Sequence, residues 1–136
     1  MSDMTNYLED EIIKHIFRTG SFTKPTSLYV ALFTAAPSDA GGGTEVTGGS
    51  YARAQLDPAD ANWTATAGGD GQTDNASDIT FPSPTANWGT VTHFAIMDAS
   101  TAGNMLFHKA LTTSKTVNSG DAAPKFSTGA LTVTLA

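Results

Sequence analysis

A chain of 136 residues is long enough to bury one core but too short for a substrate domain beside a cofactor domain, so one domain spanning 1–136 is expected. Charged residues are 15% against a usual ~25%, and the abundance of Thr, Ser, Gly and Ala points to short β-strands joined by polar turns. A net charge of −6 with seven scattered Lys and Arg argues against a nucleic-acid partner, and the lack of cysteine excludes disulfides, thiolate metal sites and a cysteine nucleophile.

The start M-S-D-M-T-N-Y-L-E-D lacks the basic-then-apolar order of a signal peptide, so synthesis in a cytosol is expected. A helix is predicted over 6–19. Asn6 and Glu9 form a capping-box-like pair, Leu8, Ile12, Ile13, Ile16 and Phe17 recur at helical spacing, and Gly20 closes the run. Glu9, Asp10 and Glu11 in the first turns, with Lys14 and Arg18 later, suit the helix dipole. The stripe either covers a sheet face or docks in a neighbouring protein's groove, in which case Ile12, Ile16 and Phe17 are the candidate contacts.

Ser27 to Phe33 reads as a buried strand, with Leu28, Val30 and Leu32 on one side and Tyr29 and Phe33 on the other. Its core, Leu28 to Phe33, is the longest apolar run and far short of the ~20 residues that span a bilayer, so no membrane partner is expected. Ala36 to Ser50 is too glycine-rich for a regular element and reads as a projecting loop; neither the Walker nor the dinucleotide glycine pattern is present in it. Tyr51 to Leu56 makes a short strand carrying Arg53, the only Lys or Arg between Lys24 and Lys109, which is expected to pair with one of the acids around it. In the polar stretch 57–77, Trp63 either anchors the loop to the core or offers a sugar platform. Ile79-Thr80-Phe81 then restores a strand before Pro82 and Pro84.

Asn87 to Leu111 organises the rest. Val91 to Met97 is apolar or half polar on both alternating sets, which suits a central strand, and Ala99 to Asn104 reverses the chain so that Met105 to Leu111 pairs back. Lys115 to Val117 and Lys125-Phe126 are short strand fragments. Leu131 to Leu135 ends the chain with one apolar face and one Thr face.

Chemistry is sparse. His93 and His108 lie on hairpin partners, where one residue of register decides whether they share a face, and no third zinc ligand is evident. Asp70, Asp74, Asn75 and Asp78 lack calcium-loop spacing and read as turn residues. No G-x-S-x-G elbow is present. No enzymatic activity, metal or cofactor is expected.

The ordered segments L-Y-V-A-L-F-T-A-A-P-S-D-A-G-G-G-T-E-V-T-G-G-S-Y-A-R, I-T-F-P, A-N-W-G-T-V-T-H-F-A-I-M-D, G-N-M-L-F-H-K-A-L-T-T-S-K-T-V-N-S-G-D and L-T-V-T-L carry a resemblance along nearly the whole chain. The chain resembles small bacteriophage virion proteins labelled tail-fibre-like or minor tail proteins. Residues 121–125 look slightly longer than that family's usual turn. The resemblance implies a non-enzymatic accessory protein of the virion, on the tail or as capsid cement (decoration), bound to other virion proteins, and brings no catalytic residues. The expected fold is mainly β, an antiparallel β-sandwich or jelly-roll-like domain over 27–136 behind one N-terminal amphipathic α-helix. The rival reading is a host-receptor or glycan-binding module at the tail tip, using Tyr51, Trp63 and the 36–50 loop. A homo-oligomer is expected, because 39–78 holds seven acids and Arg53 whereas 79–136 holds three lysines against Asp98 and Asp121. The number three for that oligomer comes from the resemblance, and Arg53 and Tyr51 join Trp63 as candidate contacts.

Overall fold

A computed structural model describes residues 3–65 and 69–135. The strands are β1 (Asp3–Met4), β2 (Tyr29–Ala35), β3 (Thr44–Glu45), β4 (Ala54–Gln55), β5 (Gln72–Asp74), β6 (Ile79–Thr80), β7 (Gly89–Met97), β8 (Met105–Val117), β9 (Lys125–Phe126) and β10 (Thr132–Thr134), with one helix, α1 (Asn6–Phe17). The fold is mainly β and antiparallel, as the turn-rich composition predicts.

The large sheet runs β1-β8-β7-β2-β3, with β4 also pairing β2. Strand β7 is central, as its two apolar faces require. Val30 pairs with Ile96 and Leu32 with Phe94, while Ile96 faces Phe107 and Phe94 faces Lys109 on the other side. One face carries Val30, Leu32, Phe94 and Ile96 into the main core; the other carries Ala31, Phe33, Ala95 and Met97 into a second, smaller cluster. Against the main face lie two ribbons, β5 with β10 and β6 with β9, which contribute Ile79, Leu131, Val133 and Phe126. The final alternation is realised as far as Thr134, with Leu131 and Val133 buried and Thr132 and Thr134 half-buried, but Leu135, expected on the apolar face, is exposed.

Several local expectations are corrected. Thr5, not Asn6, caps the helix: its hydroxyl accepts from the Leu8 N–H at 3.4 Å and donates to the Met105 carbonyl at 2.6 Å, so the cap also fastens α1 to β8. The helix stops at Phe17 rather than at 19, because Arg18 turns extended and the Phe22 N–H folds back onto His15 Nδ1 at 3.2 Å. Residues 27 and 28 precede β2, which starts at Tyr29. The expected strand over 51–56 shrinks to Ala54–Gln55. The two fragments expected at 105–111 and 115–117 are one strand with a wide bulge: Val91 pairs with Lys115 and His93 with Ala110, leaving Leu111 to Ser114 out of register.

The 36–50 loop is more regular than its glycines suggest. Thr44–Glu45 pairs with β2 and Val46 is buried. Gly49, at φ 54, lies where an added Cβ would meet Trp88 Nε1 at 2.9 Å, and that indole donates to the Gly49 carbonyl at 2.9 Å. Trp88 thereby locks the loop to the start of β7.

The β7–β8 turn is held by Asp98, whose carboxylate accepts from the Asn104 backbone N–H at 2.7 Å and from Asn104 Nδ2 at 2.9 Å. Positive φ falls on Ala102 and Gly103 rather than on Asn104. His93 and His108 are not paired across the hairpin; their partners are Ala110 and Ala95. Among the described residues no group of three His, Asp or Glu side chains is placed to hold a metal, and no helix is long and apolar enough to cross a membrane.

Candidate functional site

The six residues singled out in the sequence separate into two sets. Tyr51 and Arg53 form a network inside the chain. Arg53 Nε and Nη2 donate to the two Glu45 carboxylate oxygens at 2.9 and 2.8 Å, and Nη1 donates to the carbonyls of Ala99 and Ala102 at 2.7 and 2.9 Å. The Tyr51 hydroxyl donates to Glu45 at 2.8 Å and accepts from the Leu32 N–H at 3.0 Å, while its ring stands edge-on to Trp88. The expected partner of Arg53 is thus Glu45, and together they clamp β3 and the β7–β8 turn to the edge of β2.

Burial pushes the Glu45 carboxyl up, but hydrogen bonds from Arg53 and Tyr51 outweigh it and hold the group below its ordinary 4.5. Burial pushes the Tyr51 hydroxyl well above its ordinary 10.0. Because the folded carboxyl titrates lower than the unfolded one, its stabilisation is complete above pH 4.5 and is lost as pH falls through the folded value. Glu45→Gln is expected to cost roughly 2 kcal/mol at pH 7, the scale of hydrogen bonds to a charged group, and to shrink the further loss on acidification. Urea midpoints at pH 7 and pH 3 check this; an unchanged acid loss in the variant contradicts it.

Trp63 anchors its loop: the indole donates to the Leu56 carbonyl at 3.3 Å and the ring packs, half-buried, on the main core. Residues 66–68 of the polar stretch 57–77 lie outside the described residues.

The helix residues behave differently. Leu8 is buried and Ile12 is half-buried against the core. Ile13, Ile16 and Phe17 are 51%, 63% and 75% exposed. At about 100° per residue, Leu8 and Ile12 share the inward side while Ile13, Ile16 and Phe17 fall on an outward arc that also takes in Glu9 and, at its rim, Asp10. The predicted stripe is therefore too wide for one interface. Its outer half is an apolar patch continued by two acids, and Ile13 belongs to it as much as Ile16 and Phe17. Three neighbouring large apolar side chains are thus left open to solvent on a short helix.

Residues 3–134 match a family model described as Podophage GP4 fiber I protein gp80. No curated protein matches the chain.

Proposed function

Because the chain belongs to the podophage GP4 fiber I protein gp80 family, a family of structural phage fibre proteins, we propose that it is a non-enzymatic fibre component that binds other virion proteins through the outer face of α1. The observation that carries the docking surface is the exposure of Ile13, Ile16 and Phe17 on a helix already fastened to β8 by Thr5. A helix held rigidly on a sheet loses little freedom when its open side is covered, so apolar burial there converts efficiently into affinity. The family description favours a place in the fibre over capsid cement. The receptor or glycan reading has less support, since Tyr51 already hydrogen-bonds at both its donor and its acceptor side and Trp63 is tied to Leu56.

Ile16→Asp with Phe17→Asp tests the assignment. Both positions are exposed, so the stability change is expected to stay within about 0.5 kcal/mol each, while incorporation into particles supplied with the variant in place of the natural chain is lost. A variant that melts like the natural chain and still fills the particle contradicts the helix face as the docking surface.

A further inference from the structure

Between β8 and residues 122–127 the surface opens into a cleft of about 570 Å³. Its apolar walls include Phe94, Leu111, Pro124 and Phe126. Lys109, Lys115 and Lys125 also line it, and among the described residues no acidic one does. Three of the seven Lys and Arg in a chain of net charge −6 thus converge on one depression. Lys125 reaches Asp78 at 3.3 Å, a pair about half open to solvent, whereas Lys109 and Lys115 make no ion pair among the described residues. An apolar depression flanked by lysines selects a partner that brings apolar side chains and carboxylates together.

The outer face of α1 has that composition: Ile13, Ile16 and Phe17 beside Glu9 and Asp10. It cannot fill the cleft of its own chain, because Thr5 and β1 hold the helix start at the Met105 to His108 end of β8 while the cleft follows Lys109 to Val117. We infer that the cleft receives the α1 face of a second copy of this chain, with Glu9 and Asp10 set against Lys109 and Lys115. The contact is head-to-tail, each copy offering a helix to one neighbour and a cleft to the other, so it builds rings or a linear stack according to the rotation between copies. It rests on the docking role proposed for the helix and replaces the acidic middle of the chain, 39–78, as the partner of the basic end.

Sedimentation of four samples tests it: the natural chain, Glu9→Lys/Asp10→Lys, Lys109→Glu/Lys115→Glu, and an equimolar mixture of the two variants. The natural chain is expected to associate with rising concentration, and each variant alone to associate at least about ten-fold more weakly, since like charges then face each other. The mixture is expected to regain association beyond a one-to-one complex, because the natural helix of one variant meets the natural cleft of the other and the reversed helix and reversed cleft again carry opposite charges. Circular dichroism melts verify folding, and Lys109→Gln/Lys115→Gln replaces the reversal if that variant melts early. A cleft variant that associates like the natural chain overturns the inference in favour of helix-to-helix contact. A natural chain that stays monomeric at high concentration also overturns it; the fibre-docking role then still stands if the Ile16→Asp/Phe17→Asp variant is excluded from particles, and falls if it is not.

Discussion

Replacing Phe94 by alanine should lower the unfolding free energy by about 3–5 kcal/mol, the range for removing a buried aromatic and leaving a cavity. Phe94 is 3% exposed in the central strand, paired with Leu32 on one side and Lys109 on the other. Its ring meets Phe126 edge-on at 5.5 Å, and Phe126 in turn meets Phe81 at 6.2 Å, so this side chain joins the large sheet to the β6–β9 ribbon. Neither strand of a two-residue ribbon is stable without a layer to pack on. Truncation should therefore loosen that ribbon first, read as a lower urea midpoint together with faster amide exchange at Lys125 and Phe126. An unchanged midpoint would remove the central-strand role of β7.

Asn75→Ala should cost about 3 kcal/mol, at about 1 kcal/mol for each of the two amide N–H groups and the amide oxygen that lose their partners. The side chain is wholly buried. Its amide nitrogen donates to the carbonyls of Ser77, Phe126 and Ser127, and its oxygen accepts from the Leu131 N–H at 2.9 Å. The backbone of Asn75 adds bonds to Leu131 and Gly129. One residue thus ties the β5–β6 connection to the whole passage from β9 to β10. Asn75→Asp keeps the shape but replaces the donating amide with an acceptor aimed at three carbonyls, so it should be at least as damaging as Ala. Equilibrium unfolding of both variants checks the pair of expectations, and a loss below about 1 kcal/mol in Asn75→Ala contradicts the bridging role.

The parts of the fold that were legible in the sequence are those where each residue's neighbours are set by the local period. Strand β7 declared itself through apolar residues on both alternating sets, and the sides of β2 follow from the same rule: Leu28, Val30 and Leu32 reach the main core, Tyr29 and Phe33 the second cluster. The chain reversal at 98–104 was visible in its small residues, although positive φ fell one residue earlier than the Gly-Asn pair suggests.

What stayed hidden depends on contacts distant in sequence. Thr5 outcompetes Asn6 as the cap because carbonyls 100 and 101 residues away accept from its hydroxyl. Asn75 was indistinguishable from its turn-forming neighbours, since its partners lie 51 to 56 residues on. Arg53 was legible as a paired cation, but the choice of Glu45 among seven nearby acids depends on β3 returning to the edge of β2. For the helix face the signal is present in the sequence. Residues 8 and 12 against residues 13, 16 and 17 already mark two arcs, and only the first of these packs against the core.

The central claim, that the chain is a fibre component docked through the outer face of α1, meets its most direct test in an electron-microscopy map of the intact phage particle that carries the chain. The map should place the chain in a fibre, with Ile13, Ile16 and Phe17 covered by another polypeptide. A fibre built without the chain, or one in which those three side chains face open solvent, would contradict it.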